Sequence, residues 1–236
     1  MHTFHLATVP AHVTAAALRR GPAPDRVPGL RHAEAMWTMR LGAPVVSPHR
    51  VQLRRLALFA AWEDEAALES FLASDPLGHR LSTGWHVRLQ FLRRWGRVRG
   101  LDDLPEIAGR SDPAEPVVAV TLARMRLPEV PRFIHWGRPV ERLVRDHPAT
   151  TLALAAARPP RTVSTFSIWD STREMTGMVH GRSDVEAPRR HADAMLERDR
   201  RDFHHEFTTL RFRPLSEHGS WEGRSGLVRR YDGDAP

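Results

Sequence analysis

Two stretches of the chain carry the same pattern of apolar and polar positions. Leu56-Ala-Leu-Phe-Ala-Ala-Trp62 and Val163-Ser-Thr-Phe-Ser-Ile-Trp169 each read as a short strand of apolar, β-branched or aromatic residues ending on tryptophan. An acidic or hydroxyl cap follows each, within Glu63-Asp-Glu65 and Asp170-Ser-Thr172, and then a helical run, Ala66 to Leu72 and Arg173 to Val179. The two tryptophans lie 107 residues apart, so the chain reads as an internal duplication.

The flanks repeat as well. Phe4 to Val9 and Val117 to Ala123 read as opening strands, with helices after them at Val13 to Arg20 and Val130 to Arg145. A further strand is expected near Ala33 to Arg40 and at Thr150 to Ala157. Each half closes on a strand of mixed apolar and charged residues leading to a glycine turn, Val87 to Gly96 and Glu206 to Pro214 with Gly219-Ser-Trp-Glu-Gly223. The order βαββαβ is ferredoxin-like. The expected organisation is a first repeat at 1–99, a linker at 100–116 rich in Asp, Pro, Gly and Glu, a second repeat at 117–224 and a flexible tail at 225–236. A ferredoxin-like sheet has one helix-covered face and one bare face. Two copies can bury their bare faces together, which makes an α+β pseudo-dimeric barrel the expected fold.

Composition narrows the chemistry. At 41% hydrophobic and 27% charged residues over 236 positions, the chain can bury a sizeable core. It has no cysteine, which excludes disulfides, thiolate metal sites and cysteine nucleophiles. It also has no lysine, which excludes a Schiff-base lysine and a phosphate-binding Gly-Lys loop. Neither a Gly-Xaa-Gly-Xaa-Xaa-Gly turn nor a Gly-Xaa-Ser-Xaa-Gly elbow is present. The net charge of +7 comes from arginines scattered in pairs, without a nucleic-acid-binding motif, so no nucleic-acid partner is expected. The longest near-apolar stretch, Ala149 to Ala157, is too short for a spanning helix, and the N-terminus lacks a secretory pattern; a cytoplasmic location is the expectation.

The second half holds most of the candidate site residues. Pro188 to Phe203 is the most helix-like segment, with an apolar stripe of Ala192, Met195, Leu196 and Phe203 and with His191 at its edge beside Met195. From spacing, His191 is either an iron ligand or acid/base group, or a partly buried, hydrogen-bonded histidine. His180 before Gly181 is either a helix C-terminal cation or a pocket residue. Arg124 and Arg126 alternate with Met125, so both are expected on one strand face, where they bind a carboxylate if that face lines a cavity.

Phe166-Ser-Ile-Trp-Asp-Ser171, His191-Ala-Asp-Ala-Met195, Phe203-His-His-Glu206, Leu210-Arg-Phe-Arg-Pro214 and Gly219-Ser-Trp-Glu-Gly223 together resemble the spheroidene monooxygenase family of carotenoid ketolases. Pro28-Gly-Leu30 and Leu58-Phe-Ala-Ala-Trp-Glu-Asp64 agree more loosely. The chain departs from the family pattern at Met178-Val179-His180 and His205-Glu206-Phe207, which leaves the substrate open. The resemblance implies haem as cofactor and a hydrophobic, polyene-type substrate, with electrons from a ferredoxin-type donor. It makes His191 the axial-ligand candidate, with Met195 beside it and Arg126 or Arg124 near a propionate or bound oxygen; Arg124 and His180 are the catalytic candidates. A haem-dependent dehydratase of the aldoxime dehydratase kind, or a cofactor-free ligand-binding barrel, fits the same fold. A tandem repeat supplies internally what a homodimer would, so monomer and homodimer are both expected states.

Overall fold

In the computed structural model, which describes residues 1–44, 47, 50–186 and 188–229, eight antiparallel strands close into one barrel. The first repeat comprises β1 (His2–Thr8), α1 (Ala11–Arg20), β2 (Leu30–Met39), β3 (Val51–Trp62), α2 (Glu65–Ser74), α3 (Pro76–Ser82) and β4 (Trp85–Arg97). The second comprises β5 (Val117–Met125), a 3-10 turn Leu127–Glu129, α4 (Val130–Asp146), β6 (Thr150–Arg158), β7 (Thr162–Trp169), α5 (Thr172–Val179), α6 (Arg190–Arg200) and β8 (His204–His218).

Each repeat is a four-stranded sheet, ordered β4-β1-β3-β2 and β8-β5-β7-β6. The sheets join at a short β2·β6 seam around Thr38↔Ala156 and a long β4·β8 seam from His86↔His218 to Arg97↔Phe207. Closure gives every strand a neighbour on both sides, although the β2·β6 ladder is only Trp37–Met39 against Ala155–Ala157. Gly96 and Gly219, both with positive φ, sit at opposite ends of the long seam. A Cβ on either would meet the partner strand's carbonyl oxygen, Phe207 O at 2.2 Å or Gly84 O at 1.9 Å.

The second crossover of each repeat holds two helices; the sequence pattern predicts both in the second repeat and only the first of the two in the first repeat. In the first repeat the break is chemical. Pro76 cannot continue α2, and the Asp75 carboxylate accepts from the Leu77 and Gly78 N–H groups at 2.8 and 3.0 Å to start α3. In the second, α6 begins at Arg190, with Pro188 in the turn before it. Its buried residue is Ala194; of the expected stripe Phe203 is buried, Ala192 and Met195 are half-buried, and Leu196, at 64% exposed, is the member that falls outside it. The small Ala194 suits the close approach of α6 to α4.

Inward-facing alternate residues fill the barrel, among them Phe4, Leu6, Phe59, Trp85, Val120, Phe166 and Phe212. Phe4 and Phe166, one from each repeat, stack with centroids 3.9 Å apart. Leu227 joins this core at 2% exposure. Its N–H and that of Val228 donate to the Glu217 carboxylate, which also accepts from Trp85 Nε1. The expected tail is therefore anchored through 229, because Leu227 gains burial and its backbone finds partners; residues 230–236 of that expectation lie outside the described residues. No helix among the described residues is long and apolar enough to cross a membrane.

The outer faces of the two sheets differ. In the first repeat Leu56, Leu58, Ala60 and Trp62 pack densely against Leu68, Phe71, Leu72 and Leu81 from α2 and α3. In the second, the buried helix–sheet cluster is confined to one end, where Val117 and Trp169 meet Leu143, Met175 and Met178.

Candidate functional site

The open part of the second repeat is a sheet face built from small residues. Cross-strand partners share a face, and the register sets three rows across β6, β7, β5 and β8: Ala153–Ser167–Ala119–Arg211, Ala155–Thr165–Thr121–Thr209 and Ala157–Val163–Ala123–Phe207. This is the helix side, since Ala119 packs on the Val117/Trp169 cluster. Thr121 and Thr209 bring their hydroxyls to 3.4 Å, and Thr165 is exposed although its strand is paired on both sides. Ala, Ser and Thr leave this face thinly covered around Thr165, which is exposed, while Ala123, Ala155 and Ser167 are buried; this thinly covered strip between sheet and helices is the slot.

Helix α6 borders this slot. The Arg198 guanidinium lies over the Phe207 ring of the third row at 4.5 Å, so the face of α6 carrying Arg198 points at the floor. His191, Ala194, Met195 and Arg198 share that face at i, i+3, i+4 and i+7. His191 sits at the opposite end of the face, where its Nδ1 lies 3.2 Å from Val179 O at the end of α5. A carbonyl oxygen can only accept, so Nδ1 carries the proton and Nε2 keeps its lone pair, with no partner among the described residues. Burial pushes the His191 pKa below its ordinary value and His180 and Arg198 push the same way, against the Val179 hydrogen bond. The imidazole is thus neutral, with a fixed tautomer and a free nitrogen, the state in which histidine binds a metal.

The other candidates fall elsewhere. His180 is exposed and its Nδ1–H donates to Thr176 O at 2.8 Å, which makes it a cap on α5. Arg124 points into the end of the barrel. There it pairs with the buried Glu34 of β2 and donates to Thr162 Oγ1 at 3.0 Å. Arg158 completes the cluster at 2.6 Å from Glu34, with the His32 imidazole 3.5 Å away. Arg126 is exposed and donates through Nε to His204 O at 2.9 Å. The shared face expected for Arg124 and Arg126 is lost because the β5·β8 register breaks between Arg124 and Met125. Of the five candidates, the structure sets His191 and Met195 one turn apart on α6 and places Arg124, Arg126 and His180 in structural contacts. A shallow depression of about 560 Å³ beside Pro113, Arg173 and Gly177 contains none of them.

Sequence reasoning missed the small-residue floor, although Ala153, Ala155 and Ala157, and Thr165 and Ser167, alternate visibly. Comparison of Thr165 with Leu58 in the aligned repeat was the available signal. Among the described residues no group of three His, Asp or Glu side chains could hold a metal ion. A haem iron needs less, since the porphyrin supplies four ligands and the protein one. The flat floor and the free His191 Nε2 fit that group.

No family model matches the chain. Among curated proteins, spheroidene monooxygenase of Rubrivivax gelatinosus is 29% identical over 200 residues, covering 84% of this chain and 73% of that protein. The chain resembles spheroidene monooxygenase. At 200 residues, that likeness reaches into both repeats. Two solved structures also match over nearly their whole length. An anthrone oxidase-like protein gives 11% identity and a TM-score of 0.35, with 95% of this chain and 94% of that chain covered. A ferredoxin-fold protein related to antibiotic biosynthesis monooxygenases, from Listeria monocytogenes 4b F2365, gives 10% and 0.33, with 92% and 95% covered.

Proposed function

We propose that this chain is a haem-dependent monooxygenase that oxygenates a hydrophobic, polyene-type substrate in the slot of its second repeat. The observation that carries the reading is Thr165, exposed on a doubly paired strand of the sheet that α6 approaches through Arg198 over Phe207. The likeness to spheroidene monooxygenase supports the reaction class. When bound, haem supplies the activation of dioxygen, and a ferredoxin-type donor supplies the electrons.

The chain's own residues do the rest. His191 presents Nε2, held in orientation by its Nδ1–H to Val179 O. Met195, one turn on, and the alanine rows offer apolar surface to a flat ligand, while Thr121, Thr165 and Thr209 offer hydroxyls without blocking it. Arg124 takes no part, because Glu34 and Thr162 hold its guanidinium.

The test is an absorption spectrum of protein expressed with haem supply, wild type beside His191→Ala. An intense Soret band that the substitution abolishes or shifts is expected. Turnover of polyenes then requires oxygen and an electron donor. Absence of a Soret band in reconstituted wild type would remove the haem reading, and conversion without oxygen would replace monooxygenation with a dehydratase-type reaction.

A further inference from the structure

Two arginines at the β8 side of the slot have no counter-ion among the described residues. Arg93 on β4 and Arg211 on β8 are direct cross-strand partners on the outer face. Their guanidiniums lie 4.7 and 5.0 Å from the centroid of Trp95, which is 38% exposed. Neither has a carboxylate within ion-pair reach among the described residues, and Arg211 Nε is buried without a hydrogen-bond partner. Arg213, two positions further along β8, is the contrasting case: it binds the Glu115 carboxylate at 2.9 Å. Like charges directly opposed across a ladder destabilise the sheet. The Trp95 π-face offsets part of that repulsion, and an anion shared between the two guanidiniums would offset the rest. Burial, and then Arg93, press the Arg211 pKa below its ordinary value, so this cation gains from any anion that approaches.

The position of the pair selects the kind of anion. Arg211 ends the row Ala153–Ser167–Ala119, so its side chain borders the small-residue floor. Thr209, the ladder partner of Trp95, ends the next row. A ligand lying on the floor and reaching toward β8 therefore meets Trp95 together with the two guanidiniums over its ring. We propose that Arg93, Trp95 and Arg211 form a carboxylate subsite that holds the acidic end of a ligand whose apolar body lies on the floor of the slot. This rests on the slot of the proposed function but not on haem. The carboxylate has two chemical sources, a porphyrin propionate or the acid group of an apolar substrate.

The probes are haem beside its dimethyl ester, and dodecanoate beside dodecanol, titrated against wild type and Arg93→Gln/Arg211→Gln. Arg19→Gln, on the far side of the first repeat, serves as the charge control, and circular dichroism checks that each variant is folded. At least one acid is expected to bind about tenfold or more tighter than its neutral counterpart. The double variant should reduce that gap to within about threefold, while the neutral probe binds unchanged and Arg19→Gln behaves as wild type. A gap with haem alone assigns the site to a propionate, and a gap with dodecanoate alone assigns it to a substrate acid. Equal binding of acid and neutral probes, a gap that survives the double substitution, or no binding of either acid would overturn the subsite. A His191-dependent Soret band without ester discrimination would overturn the subsite and leave the haem reading standing; dodecanoate discrimination without a Soret band would do the reverse.

Discussion

Thr165 and Leu58 occupy the same place in the two halves of the barrel, four residues before Trp169 and Trp62, yet Thr165 is exposed and Leu58 has no exposed surface. The backbone at the two positions is equivalent, and the side chain and the helices above it decide which half is filled. Thr165→Leu should therefore close the slot without harming the fold. The expected result is a thermal midpoint equal to or above wild type, because apolar surface gains cover, with haem uptake reduced at least about tenfold. A variant that binds haem as well as wild type would place the ligand elsewhere.

Glu34 joins the repeats through a buried ion cluster. Its carboxylate, 2% exposed, pairs with Arg124 of β5 and Arg158 of β6. Glu34→Ala leaves two partly exposed arginines without the carboxylate they share and should cost about 2 kcal/mol in urea unfolding. Arg124→Ala should cost less, since Arg158 remains. It should leave ligand binding intact; a folded Arg124→Ala protein that no longer binds its ligand would return Arg124 to the site.

Acid should weaken the protein in two stages. Burial is the main cause that holds His2 at about 3 and His86 and His204 at about 4, against an ordinary 6.5. The unfolded chain takes up these protons near 6.5 and the folded chain does not, so stability is full above 6.5 and declines as pH falls toward 4. Unfolding at pH 5 should bind about one proton per such histidine, and His2→Phe should remove about one of them; uptake is read from unfolding calorimetry in buffers of different ionisation enthalpy. Burial alone would raise the Glu34 pKa, but His32, Arg124 and Arg158 outweigh it and hold the carboxyl below 4.5, so its contribution is lost further down, below 4.5. An unfolding free energy that stays level from pH 7 to 5 would contradict the histidine assignments.

The strand–Trp–cap unit predicts a pair of matched defects. Asp64 Oδ1 accepts from Ala67 N at 2.8 Å, and Ser171 Oγ accepts from Glu174 N at 3.2 Å, each starting the helix after its tryptophan. Alanine at either position should cost about 1 kcal/mol. Losses near zero at both would mean that the helices are fixed by packing alone.

Strands and helices were readable because alternation and capping are local properties. All eight strands fall where the two repeats align, and so do the helices that follow Trp62 and Trp169. The fate of Arg124 was not readable, since it depends on Glu34, 90 residues away, and on a register break after Arg124. The threonine row was hidden for the same reason: Thr121, Thr165 and Thr209 become neighbours only through strand pairing. His191 was placed correctly on a helix. The choice between ligand and structural residue needed its Nδ1 partner, which comes from a different helix.

Closing the barrel within one chain separates the histories of its two halves. In a symmetric pair of identical subunits, any substitution that emptied the space above one sheet would empty it above the other, and both losses would fall on the same structure. Here Leu58 and its neighbours can remain filled while Thr165 is laid bare, so the first half supplies rigidity that the second does without. On the proposed reading the arrangement also sets a stoichiometry, one ligand expected for each chain.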